Sequence, residues 1–339
     1  MITYLRPVTF DQHPIIQQTY IVPTPSIDTL VERVKRLIRL RTPGAIIYAY
    51  PRFGKTYSIR YVISVLQADF PQSVFISFGC EFKKAPSEDG FFANLLEAVG
   101  HKGAAPGSVT KKRIRLIERI CELVDSSGHN WVVFFGDEAQ RLGVTEYEWL
   151  RDVHDKLERK GIRMITFLVG QPQLLHQKTA LRQSNHTQIV LRFMIVEMRF
   201  DGLCSAEDIA TCLAAYDEAC FPQGSDWTYT RFFYPNAFDS GMRLLDQANV
   251  LWEAFCTAHA NAGFGSDIEI PMQYFAHTVE IALSENKHLD APNFRFSRSI
   301  WDNAIRDAMY VEAQEELRLG LPATDLAAKK RNEEFADNT

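Results

Sequence analysis

The sequence lacks the features of an exported, membrane-spanning or disulfide-stabilised protein. Its six cysteines are scattered without a C-x-x-C pair, which argues against a zinc site and a disulfide framework. No apolar run approaches the roughly 20 residues that a membrane helix needs. The first residues, MITYLRPVTFDQ, show neither a basic start with an apolar stretch nor a small-residue cleavage site. No internal repeat, zinc finger or RNA-binding aromatic motif occurs. We therefore expect a soluble, cytoplasmic protein with no membrane partner and no sequence-specific base reading.

The composition is ordinary for a globular protein, but its charge is unevenly distributed. The chain has 339 residues, of which 46% are hydrophobic and 23% charged, so we expect two or three domains. Residues 1 to 200 carry 27 Lys and Arg against 19 Asp and Glu, whereas the remainder carries 10 against 23. A basic half joined to an acidic half indicates that the first part contacts a polyanion, although solvated faces produce the same counts.

Apolar runs of strand length alternate with helical patterns up to Phe200. Strands are predicted in the runs AIIYAY, SVFISF, WVVFFGDE, IRMITFLVG and QIVLRFMIVEMRF. Helices are predicted over residues 26–40, with Ser26 as the N-cap, and over 55–66, 91–99, 111–124, 146–160 and 173–183. This alternation predicts an α/β fold, a five-stranded parallel sheet sandwiched by helices.

The alternation stops after Phe200, and only helical patterns follow. They cover residues 205–219, 241–259, 272–284 and 299–319, and the segment from residue 327 has the composition of a disordered tail. We therefore divide the chain into an N-terminal extension (1–25), an α/β core (26–201), a helical lid (202–262) and a C-terminal helical region with the tail (263–339).

The segment AYPRFGKT, residues 49–56, lies between a predicted buried strand and a predicted helix and matches a phosphate-binding loop. Gly54 lets the backbone curl so that amides face phosphates, Lys55 reaches the β and γ phosphates of ATP, and the Thr56 hydroxyl holds Mg²⁺. The positions predicted to bind nucleotide here are Ala49, Pro51, Arg52, Phe53, Gly54, Lys55, Thr56 and Tyr57. Ala49 replaces the usual first glycine, and the alternative interpretation is a fortuitous turn.

A second motif is the acidic end of the run VVFFGDEAQ. Asp137 is expected to order Mg²⁺ and its water, and Glu138 to act as the general base that polarises the attacking water. Paired acids at a strand end are also common as solvated turn residues. Their place some eighty residues after the phosphate loop, on a different strand, favours the catalytic interpretation.

The order of strand, phosphate loop, acidic strand, polar strand end and helical lid resembles the AAA+ P-loop ATPases over about residues 20 to 260. The segments GDEAQRL, LVGQPQLL and QIVLRFMIVEMRFDGL are similar to the DNA transposition regulators TnsC and TniB, with MuB and the ExeA-type ATPases as further relatives. In the TniB pattern a strand opening with Arg-Phe precedes the lid. The resemblance implies ATP hydrolysis, assembly into rings or helical filaments on double-stranded DNA, and contact with a transposase and a target-selection protein.

The resemblance also implies roles for individual residues. Gln171, after the fourth strand, corresponds to the residue called sensor one, and Arg243 in SGMRLL to sensor two. An arginine acting in trans is expected at Arg182 or Arg192. The alternatives are a loop hydrogen bond for Gln171, an exposed helix residue for Arg243, and a structural ion pair for either trans candidate.

Contacts to a DNA backbone require basic side chains on loops or helix starts. The expected residues follow the second strand or begin a helix: Lys83, Lys84, Lys111, Lys112, Arg113 and Arg115. A charge run on a helix is more often a solvated face, which is the alternative here.

The acidic C-terminal region from about Asn286 is predicted to contact the transposase or the targeting factor. Its aromatic residues are Phe294, Phe296, Trp301 and Tyr310, and the alternative is that they cover the lid. Two other functions stay open for the whole chain. One is an ATP-dependent signalling or defence switch that does not bind DNA, and the other is a helicase-loader or secretion-type ATPase.

Overall fold

The computed structural model describes residues 4–104 and 106–319, so the predicted tail from residue 327 lies outside the described residues. The strands are β1 (Gly44–Tyr48), β2 (Val74–Gly79), β3 (Trp131–Asp137), β4 (Arg163–Gly170) and β5 (Val196–Arg199). The helices are α1 (Pro14–Gln17), α2 (Pro25–Arg39), α3 (Lys55–Asp69), α4 (Glu88–Ala98), α5 (Val109–Ser127), α6 (Val144–Arg159), α7 (Gln173–Gln183), α8 (Thr187–Phe193), α9 (Ala206–Glu218), α10 (Tyr229–Phe233), α11 (Pro235–Asp239), α12 (Ala248–Asn261), α13 (Met272–Glu285), α14 (Arg298–Asp307) and α15 (Tyr310–Leu319). None of the helices in these described ranges is long and apolar enough to cross a membrane.

The chain divides into two compact units. The first contains residues 1–26, 51–54 and 201–339, and the second contains residues 27–50 and 55–200. The division into four segments drawn from the sequence stays a prediction.

The second unit is built on a five-stranded sheet with the order β2-β3-β4-β1-β5. Every pairing is parallel, and the register sets Tyr48 opposite Gly170 and Gly79 opposite Asp137. Helices cover the sheet, and strands β3 and β4 are buried along almost their whole length, as expected for a parallel sheet. The predicted α/β fold is confirmed. Because parallel strands end at one edge, the loops after β1, β3 and β4 meet there.

The fifth strand begins later than its apolar run indicates. Residues 187–193 form α8, and Arg192 and Phe193 end this helix instead of opening a strand, so that part of the predicted pattern is wrong. The spacing of the buried residues Ile189, Val190 and Phe193 is helical. Gly44 allows the close approach of α8, because a Cβ on it would lie 2.3 Å from the carbonyl oxygen of Arg192.

The first unit is helical and has one core that includes the N-terminal segment. Ile15 and Val22 pack with residues from Leu203 to Tyr310. The Tyr20 hydroxyl lies 2.9 Å from that of Tyr216 and donates to Glu280 at 2.9 Å. This core therefore joins residues that are far apart along the chain.

Several helices of this unit differ from the predicted bounds. The expected helix over 241–259 begins only at Ala248, after a 3-10 turn at Leu245–Gln247. The expected helix over 299–319 is two helices, because Met309 adopts φ 59° between them. Three short helices, α1, α10 and α11, were not predicted. Pro235 at the start of α11 cannot continue α10 with a backbone hydrogen bond.

The four C-terminal aromatic residues belong to the core of this unit. Phe296 is 4% exposed, and Trp301 and Tyr310 are 0% exposed. Phe294 stacks on Tyr234 with ring centroids 4.8 Å apart. Phe296, Trp301 and Tyr310 are therefore buried in the core and are not free to anchor a partner, which corrects that part of the prediction in favour of internal packing. A partner contact of the C-terminal region stays a prediction.

Candidate nucleotide-binding site

The phosphate loop follows β1 and leads directly into α3. Ala49 continues the pairing beyond the strand, since its N–H donates to the carbonyl of Gly170 at 3.1 Å. Lys55 is the first residue of α3, so the amides of the first helical turn carry partial positive charge beside it. Thr56 and Tyr57 follow in that turn and are exposed. The start of α3 is therefore suited to bind phosphate oxygens.

The Lys55 ammonium is buried and is held by the loop itself. Its side chain donates to the carbonyl oxygens of Ala49 at 3.0 Å and Tyr50 at 2.9 Å. Burial lowers the pKa of Lys55, and the nearby carboxylates of Glu138 and Asp137 oppose that shift. A partly desolvated cation at a helix start gains strongly from a phosphate ligand.

Thr56 and Asp137, the two residues predicted to bind Mg²⁺, contact each other at the sheet edge. The Thr56 hydroxyl donates to Asp137 Oδ2 at 2.8 Å, although the two residues are 81 positions apart. The other oxygen, Oδ1, accepts the backbone N–H of Glu138 at 2.9 Å. A hydroxyl and a carboxylate at this separation are hard oxygen donors of the kind Mg²⁺ prefers, so these residues fit that ion.

Glu138 sits in an unusual backbone conformation. Its φ is 56°, which is rare for a residue other than glycine and turns the chain sharply after β3. Its Oε2 accepts from Gln140 Nε2 at 2.7 Å and lies 3.6 Å from the Arg141 guanidinium. The carboxylate is therefore oriented by neighbours in the turn that follows β3.

Gln140 was missed by the sequence analysis, although it stands inside the motif GDEAQRL. Its Oε1 accepts the backbone N–H of Gln171 at 3.1 Å, so it joins the ends of β3 and β4. The predicted sensor Gln171 thus lies next to the paired acids along the sheet edge. A helix residue, Gln177, also reaches this turn and donates to the Gln140 carbonyl at 2.6 Å.

The tip of the phosphate loop, Pro51–Gly54, groups with the first unit. Arg52 has φ 72° and Gly54 has φ 85°, so the tip turns through left-handed conformations. The Arg52 guanidinium donates to Gln273 Oε1 at 3.3 Å, and Phe53 is buried at 3% exposure. Arg52 and Phe53 therefore have packing roles in addition to the predicted nucleotide contacts.

Arg243 was predicted to open a lid helix, but it lies in the loop before Leu245–Gln247. Its guanidinium donates to the carbonyls of Phe238 at 2.8 Å and Met242 at 2.7 Å, and it lies 3.7 Å from the Phe238 ring centroid. Its role as sensor two stays a prediction.

The two candidate trans arginines differ in their surroundings. Arg192 is partly buried and pairs with Asp155 at 2.7 Å, which matches the alternative of a structural ion pair. Arg182 is exposed in the last turn of α7, and no ion-pair partner for it lies within residues 4–104 or 106–319.

Of the six residues predicted to contact DNA, four make polar contacts with other groups of the chain and two are exposed. Lys112 is 2% exposed and pairs with Asp89 at 2.8 Å. Arg113 pairs with Glu88 at 2.5 Å and Asp152 at 3.1 Å. Arg115 donates to the carbonyls of Gly103 and Pro106, and Lys83 lies 3.7 Å from Glu81. Lys84 and Lys111 are exposed and have no ion-pair partner in the described part of the chain.

A comparison with family models agrees with this fold and this set of residues. Residues 41–177 match the family model described as an AAA domain, and the sheet has the AAA+ P-loop fold. This region contains the loop, the acidic strand end and Gln171. A search of curated proteins finds no match.

Solved structures with the same fold include two ORC proteins of Aeropyrum pernix. Aeropyrum pernix ORC2, in its ADPNP-ADP complexes, has a TM-score of 0.57 at 12% identity, covering 87% of this chain and 71% of that chain. Aeropyrum pernix ORC1, in complex with DNA, has a TM-score of 0.53 at 13% identity, covering 87% of this chain and 67% of that chain. At these identities the similarity concerns the fold.

Proposed function

We propose that this chain is an ATP-hydrolysing, DNA-binding AAA+ regulator of transposition. It assembles on double-stranded DNA in the ATP state and links target selection to a transposase. The single observation that carries the ATPase part is the contact of Thr56 with Asp137, beside Lys55 and Glu138. Cation, hydroxyl and two carboxylates from distant parts of the sequence converge at one edge of the sheet.

The residues have separate tasks in hydrolysis. Lys55 exchanges its contacts with the Ala49 and Tyr50 carbonyls for phosphate oxygens and neutralises their charge. Thr56 and Asp137 would hold Mg²⁺, which would screen the charge of the phosphate oxygens and so favour attack on phosphorus. Glu138 accepts a proton from the attacking water. Gln171, at the end of the adjacent strand, contacts the γ phosphate or that water.

Two substitutions test this assignment. Lys55→Ala is expected to abolish nucleotide binding, because it removes the buried cation of the loop. Glu138→Gln is expected to leave binding intact and slow hydrolysis, by about 100-fold or more, because the amide cannot accept a proton. The measurements are titration with a fluorescent ATP analogue and phosphate release. Undiminished binding by the first variant, or parental turnover by the second, contradicts the assignment.

The DNA part of the proposal is supported by the exposed lysines of the α/β unit. Lys84 follows β2, which ends at the same sheet edge as the phosphate loop, and Lys111 lies in the first turn of α5. Repetition of these two charges in an oligomer adds phosphate contacts without base preference. The DNA complex of the structurally similar ORC1 also agrees with this proposal.

The charge-reversal test uses only exposed residues. The double variant Lys84→Glu and Lys111→Glu is expected to weaken binding to every duplex sequence, and the parental affinity is expected to fall steeply with salt. The matched control is Lys160→Glu, at a lysine that is also exposed and follows α6, near the opposite end of the sheet. Binding is measured by fluorescence anisotropy with random duplexes. Equal binding by all variants excludes this surface.

Assembly is proposed to bring Arg182 of one subunit to the nucleotide of the next. Nucleotide at a subunit boundary stabilises only the assembled state. Arg182→Ala should therefore impair ATP-dependent polymerisation or hydrolysis and spare nucleotide binding, whereas Arg192→Ala should chiefly remove the ion pair with Asp155. Sedimentation with ATP or ADP, with and without duplex, measures this. A protein that is monomeric in all four conditions contradicts the filament or ring.

The transposition role is supported by the resemblance of GDEAQRL and LVGQPQLL to the TnsC and TniB regulators. Its first test is the genomic neighbourhood: a transposase gene beside the gene for this chain supports the role, and reconstitution with that transposase is the second test. We expect DNA integration to depend on the chain and on its ATP site. Integration at the same rate without it would leave only the ATPase proposal.

One observation favours a second function, an ATP-dependent switch that does not bind DNA. Lys112, Arg113 and Arg115 are tied to intramolecular partners, so little of the basic helix start is available to a polyanion. The duplex-binding measurement separates the two functions. Nucleotide-dependent assembly with no duplex affinity at low salt would favour the switch.

A further inference from the structure

The carboxylate of the candidate base Glu138 accepts a hydrogen bond from Gln140, a residue that has no role in the hydrolysis steps proposed above. Gln140 Nε2 donates to Glu138 Oε2 at 2.7 Å, and Gln140 Oε1 accepts the backbone N–H of Gln171 at 3.1 Å. One side chain thus joins the carboxylate after β3 to the backbone after β4.

The orientation of this amide follows from its two partners. A carboxylate requires a donor, and a backbone N–H requires an acceptor, so a rotated amide would face both partners with the wrong atom. The space is also shaped for it. A Cβ on Gly170 would lie 2.3 Å from Gln140 Oε1, so the glycine leaves room for the contact.

The main chain of Gln140 is fixed from helix α7. Gln177 donates its Nε2 to the carbonyl oxygens of Gln140 at 2.6 Å and Leu142 at 3.2 Å. Its Oε1 accepts from the Tyr147 hydroxyl at 3.3 Å. The turn that carries Gln140 is therefore attached to α7 and to α6.

We propose that Gln140 is a positioning residue that sets the orientation of the Glu138 carboxylate, and that Gln177 links this orientation to α7. The last turn of α7 carries the exposed Arg182, so a displacement of this helix is transmitted to the base through two hydrogen-bonded glutamines. The inference rests on the proposed ATPase function, and it adds a route by which a partner at α7 changes hydrolysis.

Two substitutions of Gln140 separate positioning from packing. Gln140→Glu keeps an acceptor for the Gln171 N–H but removes the donor to Glu138 and sets two carboxylates together. Gln140→Met removes both hydrogen bonds at similar volume. Both variants are expected to lower kcat about tenfold or more, with KM for ATP and the affinity for an ATP analogue within about twofold of the parental values.

The control is Gln67→Glu, the same exchange at an exposed position of α3, which is expected to keep parental kcat. Urea unfolding of each variant reports stability. If Gln140→Met is unstable, Gln140→Glu carries the test. Loss of kcat in Gln140→Met alone, together with lower stability, would mean that Gln140 only ties β3 to β4 and would overturn the inference.

The link to α7 is tested by a double-mutant cycle with Gln177→Leu. If Gln177 acts through Gln140, the double variant with Gln140→Glu loses no more kcat than Gln140→Glu alone. Additive losses would overturn the link. A parental chain without ATP hydrolysis would overturn the proposed function and this inference together. Parental hydrolysis that Glu138→Gln abolishes but both Gln140 variants retain would overturn only the inference.

Discussion

Replacement of either of two adjacent lysines at the start of α5, Lys111 or Lys112, by Met should have opposite effects: one lowers stability and the other lowers DNA affinity. Lys112 is 2% exposed and pairs with Asp89 at 2.8 Å, whereas Lys111 is exposed. Lys112→Met keeps the aliphatic stem and removes the ammonium from this pair. Lys111→Met removes a charge from solvent, where a substitution changes stability by about 0.5 kcal/mol or less.

The magnitude depends on which partner is buried. Asp89 is 56% exposed and can be hydrated when Lys112 is lost, so Lys112→Met should cost about 2 kcal/mol, between a surface pair and a buried pair. Asp89→Ala leaves the buried ammonium unpaired and also removes an acid from the first turn of α4, so it should cost about 3 kcal/mol. The order of the two losses is the sharper prediction.

Urea unfolding and duplex anisotropy are measured on the same preparations. Lys112→Met should lower the urea midpoint by about 1 M and leave duplex affinity unchanged. Lys111→Met should weaken duplex binding and leave the midpoint unchanged. The reasoning is refuted if Lys112→Met weakens DNA binding at parental stability, or if Asp89→Ala costs less than Lys112→Met.

Three further substitutions follow from local geometry. Gly44→Ala places a Cβ 2.3 Å from the Arg192 carbonyl and should cost about 3 kcal/mol in urea unfolding, and a parental midpoint would contradict the packing of α8 against β1. Gly170→Ala places a Cβ 2.3 Å from Gln140 Oε1 and 2.8 Å from Cδ1 of the buried Leu174, so kcat should fall and stability should drop by about 1–3 kcal/mol, and parental values of both would contradict the close packing at the end of β4. Burial lowers the pKa of His13 to about 4. Since this is below the pKa of about 6.5 in an unfolded chain, stability should be complete above pH 6.5 and be lost as the pH falls towards 4, by at most about 3 kcal/mol, and His13→Leu should flatten that dependence.

The sheet and the main site residues were predictable because their signals are local. Each strand is an apolar run of suitable length, and the GKT and GDE segments occur where such runs end. The parallel sheet then brings Thr56 and Asp137 to one edge without further information. The contacts of Gln140 were not predictable, because they depend on the separation of two strand ends and on the placing of α7.

Which basic residues are exposed and which are paired could be decided only from the structure, although the sequence of α5 contained one indication. Lys112, Leu116, Ile120 and Val124 follow one another at intervals of four, which places the lysine on the buried face of α5. A count of basic residues ignores this periodicity. Arg192 illustrates the same limit, because its partner Asp155 lies on another helix.

The shared core of the first unit has a consequence for synthesis of the chain. The segment with Ile15, Val22 and Tyr20 leaves the ribosome before the α/β unit, yet Tyr20 bonds to Tyr216, 196 residues later, and to Glu280, 260 residues later. The second unit, residues 27–50 and 55–200, emerges in between and has its own core, so it can fold during translation. The segment with Ile15, Tyr20 and Val22 therefore waits, with its apolar side chains uncovered, until helices α9 and α13 have been made. A chaperone that binds nascent chains has its natural target in this segment.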